Sequence, residues 1–438
     1  MRGSLRTSFW DGLFAATMLG VTEHYMVPLA LFLGATVWQI GWVSALPNLL
    51  GSLSQFFSVQ AVRRLGGRLR LLVSAVFFQA TFLALIAFLA LFPVPFRVEM
   101  LIAALVLFAV SGAVSGPAWG SLMSDYLPPR RRGEYFGWRN RILGSVSLVS
   151  MVASGLFLYL AGTTHRTLAF FIVFLVGSLA RYVSAVFLSR MGDVPHKENP
   201  ASDFSFYMFI ARFRESNFVK FVAFVASLTF ASYIASPYFA VFMLQDLHLS
   251  YFQYMAIQVT PSMASLATFS WWGRHADLVG NARVLKFSAS FTPLIPLLWL
   301  PYHNVYYLLV LQILSGFAWS GVNLCATNFI YDAVTPAKRV RCIAYFNLIT
   351  GVALSAGAWL GGYLATALPP LWGYRILSLF ALSAVLRFAS CLFLSGHFRE
   401  IRPSQQVSSQ ELFFSVVGIR PLIGGNREWL IKPVRHGD

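Results

Sequence analysis

An acidic and a basic side chain stand side by side in the middle of a long apolar stretch near the amino terminus. Glu23 and His24 occur in GVTEHYMVP, residues 20–28. On a helix, adjacent residues point about 100° apart, so both side chains can face one polar cavity. An ionisable group inside an apolar span is costly and is therefore a functional candidate. The alternatives are a neutral Glu23 that hydrogen-bonds a neighbouring helix and a buried neutral imidazole at His24.

Other apolar stretches carry amide and aromatic side chains that suit an organic solute. Trp319 and Asn323 are one helical turn apart and share a helix face. Pockets for organic solutes combine apolar surface with a few directed polar groups. Packing or lipid contact also explains each ring taken singly, and amides hold membrane helices together. The candidates of this kind are Trp119, Tyr233, Tyr238, Trp319, Asn323 and Asn328.

The chain has no sequence pattern for catalysis or for the use of ATP. It lacks a Gly-x-x-x-x-Gly-Lys phosphate loop and any Ser-His-Asp cluster. Its three cysteines, Cys325, Cys342 and Cys391, form neither a disulfide framework nor a metal-ligand spacing. We therefore expect a protein that is not an enzyme and that uses no cofactor and no metal.

The composition indicates which elements must position these side chains. Of 438 residues, 57% are hydrophobic and 11% are charged, whereas soluble proteins carry about 25% charged residues. Apolar stretches long enough to cross a bilayer recur from end to end, and backbone groups in lipid require helices. The sequence predicts an all-α integral membrane protein whose twelve spans lie near 9–33, 37–62, 70–92, 98–124, 139–162, 167–190, 217–243, 250–273, 284–301, 304–331, 342–367 and 374–396.

The basic residues predict the orientation of these spans. Among the 33 Lys and Arg, only Arg97, Arg166 and Arg375 lie in the loops after spans 3, 5 and 11, and Arg181 and Arg387 lie inside spans. The others belong to the termini and the even-numbered loops, which the positive-inside rule places in the cytoplasm. The net charge of +17 therefore reflects topology, and we expect no nucleic-acid partner.

The two halves of the sequence resemble each other. A shift of 214 residues places Gln39 on Gln253 and Gly66 on Gly280, and a shift of 206 places Arg181 on Arg387. A shift of 207 matches Asp125, Arg132 and Asn140 with Asp332, Arg339 and Asn347. Such a repeat predicts two pseudo-symmetric six-helix bundles in parallel orientation. The predicted divisions are residues 1–190, a cytoplasmic linker 191–216, residues 217–396 and a cytoplasmic tail 397–438.

Loop motifs resemble those of the major facilitator superfamily of secondary transporters. That family carries Gly-x-x-x-Asp-Arg/Lys-x-Gly-Arg/Lys after span 2, often echoed after span 8. Here the second copy, GRHADLVGNAR, keeps Gly273, Asp277, Gly280 and Arg283, whereas the first has Arg63 in place of the acid. The stretch SDYLPPRRRGEYFG, residues 124–137, matches the family's Asp-x-x-Pro-x-x-x-Arg-Gly pattern through Asp125, Arg132 and Gly133.

The resemblance implies a solute cavity near the middle of the bilayer, lined by spans 1, 4, 7 and 10, and transport by rocking of one bundle against the other. It implies a monomeric protein of the bacterial inner membrane with both termini in the cytoplasm. For the loop charges we expect a cytoplasmic latch in which Asp277 meets Arg139 or Arg141. The alternative is that these charges only anchor loops and set topology.

Two further features of the spans are deep arginines and a row of small residues. Arg181 and Arg387 lie deep in spans that are scaffold helices in the family, so we expect them to pair with carbonyls or a buried acid; a role in transport is the weaker alternative. The small residues of GVALSAGAWLGG, residues 351–362, predict close packing of span 11 on a neighbour.

The sequence therefore predicts a secondary active transporter of a small organic solute, coupled to protons through Glu23. A facilitator of the same fold without a coupling ion is the first alternative. A membrane protein that acts in assembly, pigment delivery or reception is the second, because the first loop motif departs from the family pattern.

Overall fold

A computed structural model describes residues 2–126, 129–192, 216–334 and 336–401. The described residues form twelve helical segments, here called α1 to α12, and each of α1, α2, α7 and α9 is interrupted once. Within these described ranges, eight helices are long and apolar enough to cross a membrane. The segments are α1 (Arg2–Thr22 and Met26–Phe32), α2 (Val37–Ser54 and Ser58–Leu65), α3 (Arg68–Leu91), α4 (Arg97–Tyr126), α5 (Pro129–Leu160), α6 (Arg166–Ser189), α7 (Asn217–Tyr233 and Ser236–Val241), α8 (Tyr251–Val279), α9 (Asn281–Ala289 and Leu294–Leu298), α10 (Val305–Ala333), α11 (Pro336–Ala367) and α12 (Arg375–Leu394).

Matching capping residues begin α2 and α8. The Thr36 hydroxyl accepts a hydrogen bond from the backbone N–H of Gln39, and the Gln39 side chain accepts one from the Thr36 backbone. Ser250 and Gln253 form the same reciprocal box. Such caps satisfy backbone donors that a helix leaves unpaired at its start. The internal repeat therefore preserves local structure as well as hydrophobic pattern.

The segments pack as two bundles, α1–α6 and α7–α12, that meet chiefly through α2 with α11, α5 with α8 and α1 with α7. We call the face with the amino terminus and the α2–α3 and α8–α9 connections the terminus face, and the other the distal face. Near the terminus face each bundle has its own core, around Leu122 in one and Phe329 in the other. A third core, which includes Leu29 and Tyr254, joins both bundles.

The carboxyl-terminal bundle extends past the predicted start of the tail at residue 397. Phe398 is fully buried and packs against Phe221, Phe224 and Phe329. The Glu400 carboxylate accepts a hydrogen bond of 2.7 Å from the backbone N–H of Ala282, at the start of α9. An anion at a helix N-terminus is stabilised by the helix dipole. Phe398 and Glu400, which follow the predicted start of the tail, therefore pack against the carboxyl-terminal bundle.

Candidate functional site: a cavity between the two bundles

A cavity of about 910 Å³ lies between the bundles. Its walls come from α1, α2, α7, α8, α10 and α11, with contributions from α9 and α12. The terminus-side halves of α2, α10 and α11 contribute Gln55, Thr327 and Thr350. Since the bundles have separate cores on that side, the cavity opens toward the terminus face.

Glu23 lies where α1 is interrupted. Residues Glu23–Tyr25 form a single 3₁₀ turn between two α-helical parts. Glu23 is exposed to the cavity, and His24 also lines it. Tyr233 lines the same cavity from α7, at the matching interruption of the other bundle. Glu23 and His24 from one bundle and Tyr233 from the other therefore line the same cavity.

Prolines inside these helices free backbone carbonyl groups that side chains then bind. Pro28 has no N–H, so the His24 carbonyl four residues earlier lacks its helical donor. The hydroxyl of Tyr254, on α8 of the other bundle, donates to this oxygen at 2.8 Å. In the same way Pro261 frees the Ile257 carbonyl, to which the Gln312 amide donates at 3.3 Å. Buried carbonyls left without donors would cost free energy.

On the distal side the cavity is closed by close packing between bundles. The Tyr238 hydroxyl donates to the Ala358 carbonyl at 2.9 Å. An added Cβ at Gly41 would lie 2.9 Å from that hydroxyl and 3.3 Å from the Cα of Gly362. Trp38 on α2 and Trp359 on α11 lie beside this contact, with ring centroids 5.9 Å apart.

The small-residue face of α11 makes these contacts possible, as its sequence predicts. A Cβ added to Gly357 or Gly361 would lie 2.4 Å from the Phe230 carbonyl or 2.3 Å from the Ile234 carbonyl. Between α5 and α8, Gly155 admits Met255 in the same manner. Small residues thus let backbones approach across membrane interfaces.

The structure places five of the predicted site residues on the cavity wall and three elsewhere. Tyr238 is fully buried in the distal closure, Asn328 does not line the cavity, and Trp119 lies in the amino-terminal bundle beside a second cavity. The residues on the wall are Glu23, His24, Tyr233, Trp319 and Asn323. Sequence reasoning missed the wall residues Tyr254, Gln258, Gln312 and Asn347, although Gln258 and Gln312 are amides within apolar spans.

The second cavity, of about 450 Å³, lies inside the amino-terminal bundle and is lined by Asp11, Arg139 and Arg181. Asp11 is 5% exposed and accepts a hydrogen bond of 2.7 Å from Ser184. Arg181 donates to Ser184 at 3.0 Å and to the Gln79 side-chain oxygen at 2.7 Å. The Ser184 hydroxyl therefore links Arg181 to a buried acid, Asp11. Sequence reasoning did not single out Asp11, which lies close to the basic amino terminus.

Arg387, the repeat partner of Arg181, has a different environment. It is 3% exposed and lies on the wall of the central cavity. It donates to the Thr292 carbonyl at 3.0 Å, the Ser232 carbonyl at 3.4 Å and the Ser383 hydroxyl at 3.1 Å. Pro296 removes the helical donor of the Thr292 carbonyl. Its partners are therefore carbonyls and a hydroxyl, the other expected kind.

The loop-motif charges hold helix ends together at the terminus face. Asp125, at the end of α4, forms an ion pair of 2.7 Å with Arg68, at the start of α3. Asp332, at the end of α10, accepts a hydrogen bond of 2.7 Å from Asn281, at the start of α9. Gly280 has φ +94°, a conformation that favours glycine.

The predicted latch residues are apart in this conformation. Arg139 is 7% exposed, donates to the Ser8 carbonyl at 3.3 Å and lies 4.9 Å from the Trp119 ring centroid. Asp277 and Arg141 are exposed. Arg139 thus makes its contacts within its own bundle. Arg141, which is exposed, is the remaining candidate partner for Asp277. Gly273 has open space around it except for Leu324, and Arg283 lies in the first turn of α9. The side chains of Arg132, Gly133 and Arg339 and the linker 193–215 lie outside the described residues.

A sequence model of the Major Facilitator Superfamily matches this chain twice, over residues 12–230 and 221–434. The two matches correspond to the two halves of the internal repeat. No curated protein matches the sequence significantly.

Solved transporter structures share the fold at low sequence identity. A mutant of the nucleoside transporter NupG has a TM-score of 0.69 at 11% identity, covering 90% of this chain and 100% of its own. An auto-inhibited peptide transporter of the POT family also has a TM-score of 0.69 at 11% identity, covering 94% and 100%. A bacterial homologue of the iron transporter ferroportin, in an inward-facing state, has a TM-score of 0.67 at 11% identity, covering 89% and 98%.

Proposed function

Because the chain belongs to the Major Facilitator Superfamily, we propose that it is a secondary active transporter that carries a small organic solute together with protons. Its solved structural neighbours are described as transporters of nucleosides, of peptides and of metal. This variety supports transport in general, and the residues of the cavity must decide the solute and the coupling.

The observation that carries the proposal is a polar cavity between two bundles that are separate at one face and share a core toward the other. A transporter that exposes one site alternately to two sides needs such an arrangement. The distal closure rests on a few hydrogen bonds and ring contacts, such as Tyr254 with His24 and Trp38 with Trp359. Contacts of this size can form and break within the few kcal/mol that separate transport states.

The proposed orientation places the terminus face in the cytoplasm of a bacterial inner membrane. The even-numbered loops and the termini carry most of the basic residues, and such segments remain inside. The conformation described is then open to the cytoplasm. The protein acts as a monomer, because each chain contains a whole cavity with both of its walls.

Glu23 is the proposed proton carrier. It is an acidic residue exposed to the central cavity, and it lies at a helix interruption beside the contact between bundles. When the cavity faces one side, the carboxylate exchanges its proton with that side. A proton bound there removes a charge that would be costly in a closed cavity. Proton binding therefore favours the passage between states in which the cavity is occluded.

The test is uptake by purified protein in liposomes with an imposed pH gradient and a panel of radiolabelled organic solutes. Wild-type protein drives uptake with the gradient, and Glu23→Gln abolishes gradient-driven uptake. Glu99→Gln is the matched control, because Glu99 is an exposed acid that binds Gln39 away from the cavity.

The alternatives give different outcomes in the same assay. Flux that ignores the gradient and survives Glu23→Gln would identify an uncoupled facilitator. Absence of flux for every solute would contradict transport and favour a role in membrane assembly, pigment delivery or reception.

A further inference from the structure

The internal repeat places one deep arginine on corresponding helices of the two bundles. Arg181 on α6 bonds the Gln79 side chain on α3, and Arg387 on α12 bonds the Thr292 carbonyl in α9. Ser184 follows Arg181 by three residues, and Ser390 follows Arg387 by three. Since α3 and α6 correspond to α9 and α12, each arginine bonds the corresponding helix of its own bundle.

The two arginines differ in their partners, above all in the presence of an acid. In the amino-terminal bundle Ser184 donates to the carboxylate of Asp11, on α1. In the carboxyl-terminal bundle Ser390 shares a hydrogen bond of 2.7 Å with Ser227, on α7. Ser390 thus bonds a hydroxyl of α7, whereas Ser184 bonds a carboxylate of the corresponding helix, α1. Across the described ranges, no carboxylate forms an ion pair with Arg387.

Arg387 therefore carries a buried charge that no carboxylate in the described part of its bundle neutralises. A guanidinium has five N–H donors, and three are used, on Ser232, Thr292 and Ser383. Carbonyl and hydroxyl dipoles offset only part of the cost of burying a full charge. The side chain also lines the central cavity, whereas Arg181 lines only the second cavity.

We propose that Arg387 is the anion subsite of the central cavity and that the transported solute is an organic anion with a carboxylate group. This inference rests on the proposed transport function and names the class of solute. Two N–H groups remain on Arg387 in the described part of the protein, and a carboxylate presents two oxygens. A bound carboxylate supplies the counter-charge that Asp11 supplies to Arg181. The amides of Gln258, Gln312 and Asn323 on the same wall then contact the rest of the solute.

The first test measures the charge of the cavity without any assumption about the solute. Asn323→Cys introduces a thiol on the cavity wall. Its rate of reaction is measured with an anionic reagent, sulfonatoethyl methanethiosulfonate, and with a cationic one, trimethylammonioethyl methanethiosulfonate. Each rate is divided by the rate of the same reagent with a free thiol in solution. Protein with only the native cysteines gives the background. We expect the anionic reagent to be favoured, and Arg387→Gln to lower the anionic-to-cationic ratio about tenfold, the effect of a unit charge roughly 10 Å away in a medium of intermediate dielectric constant.

Matched variants separate charge from packing. Arg387→Lys retains the ratio because it keeps the charge. The double variant Asp11→Asn with Arg181→Gln removes both charges of the equivalent pair and leaves the ratio unchanged, since neither residue lines the central cavity. If Arg387→Gln does not fold, Ser227→Asp tests the same point by installing the missing acid, and it also lowers the ratio. A ratio near one in the wild type, or an Arg387→Gln ratio equal to that of the wild type, overturns the proposal.

The second test compares carboxylates with their uncharged amides in liposome uptake: lactate with lactamide, succinate with succinamide and benzoate with benzamide. We expect flux only among the carboxylates, reduced at least tenfold by Arg387→Gln and partly retained by Arg387→Lys. Equal flux of amides and carboxylates contradicts the anion subsite while transport stands. Absence of flux throughout contradicts the transport function, and the thiol reaction rates then decide the anion subsite independently.

Discussion

Individual polar residues in this protein are placed where helices lack a donor or a counter-charge. Tyr254, Gln312 and Arg387 each donate to a carbonyl four residues before a proline. Proline is tolerated in membrane helices when neighbouring groups satisfy the freed carbonyl. The prolines therefore determine where a side chain of one helix bonds the backbone of another. Of these three bonds, the one from Tyr254 joins the two bundles.

Asp11→Asn is expected to destabilise the protein by about 3–5 kcal/mol, the cost of leaving a buried charge without its partner. The Arg181 guanidinium would then lie in the amino-terminal bundle with only Ser184 and Gln79 as partners. The melting temperature in detergent measures the effect. The double variant Asp11→Asn with Arg181→Gln is expected to recover part of the loss, because neither charge remains; a double variant less stable than the single one would contradict the pairing.

Tyr254→Phe is expected to weaken the distal closure by about 1 kcal/mol, the net contribution of one hydrogen bond. The fraction of molecules open to the distal face should rise about fivefold. Thr327→Cys places a thiol in the cavity, and the decrease in its labelling by a reagent added at the terminus face measures this fraction. Tyr25→Phe is the matched control: its hydroxyl donates to the Met151 carbonyl at 2.7 Å within one bundle. A control that shifts access as much as Tyr254→Phe would contradict the assignment.

At the scale of the helices, α2 and α11 contribute both to the distal closure and to the cavity wall. On the distal side α2 and α11 approach so closely that Gly41 and Gly362 face each other. Farther toward the terminus face the same two helices meet at Ser52 and Gly351 and expose Ser52, Gln55 and Thr350 to the cavity. One pair of helices thus forms both the closure and the wall.

Gly41→Ala is expected to disrupt the distal closure by about 1–3 kcal/mol, because the added methyl group overpacks the contact with Tyr238 and Gly362. Accessibility of a cavity thiol from the distal face should increase. Gly144→Ala, in α5, is the control, because an added Cβ there meets nothing within 4 Å. Unchanged accessibility in Gly41→Ala would mean that the closure is held elsewhere.

The sequence predicted the helices well and the site only in part, for physical reasons. Hydropathy and the repeat locate α1 to α12, because every span must be apolar and helical in lipid. They do not show which side of a helix faces the cavity: Tyr238 is buried in the distal closure, and Trp119 lies beside the second cavity. Nor do they show pairing: Asp11 resembles a charge of the amino-terminal loop until the fold brings it to Ser184.

At the scale of the whole molecule, the two bundles share the same order of helices but differ in their charged and polar residues. The first bundle has an arginine linked to a buried acid through Ser184 and a second acid, Glu23, in the cavity. The second has an arginine with no carboxylate among its described partners and most of the amide groups of the wall. In the proposed transport cycle the shared helix order permits the rocking motion, and the differing residues select the solute.

Asp277→Asn is expected to loosen the state that is open to the distal face, because the proposed latch joins Asp277 to Arg141 when the terminus face closes. Labelling from both faces measures the change, and the cavity thiol should spend more time open to the terminus face. A charge swap, Asp277→Arg with Arg141→Asp, should restore the wild-type balance. Equal labelling of Asp277→Asn and wild type from both faces would contradict the latch.

Phe398 has a consequence for how the chain is made. The ring fills the centre of a core formed by α7 and α10, yet it is synthesised after all twelve spans. That core therefore stays incomplete on the translating ribosome until the final segment emerges. The second bundle is completed last, by a residue that follows the final span.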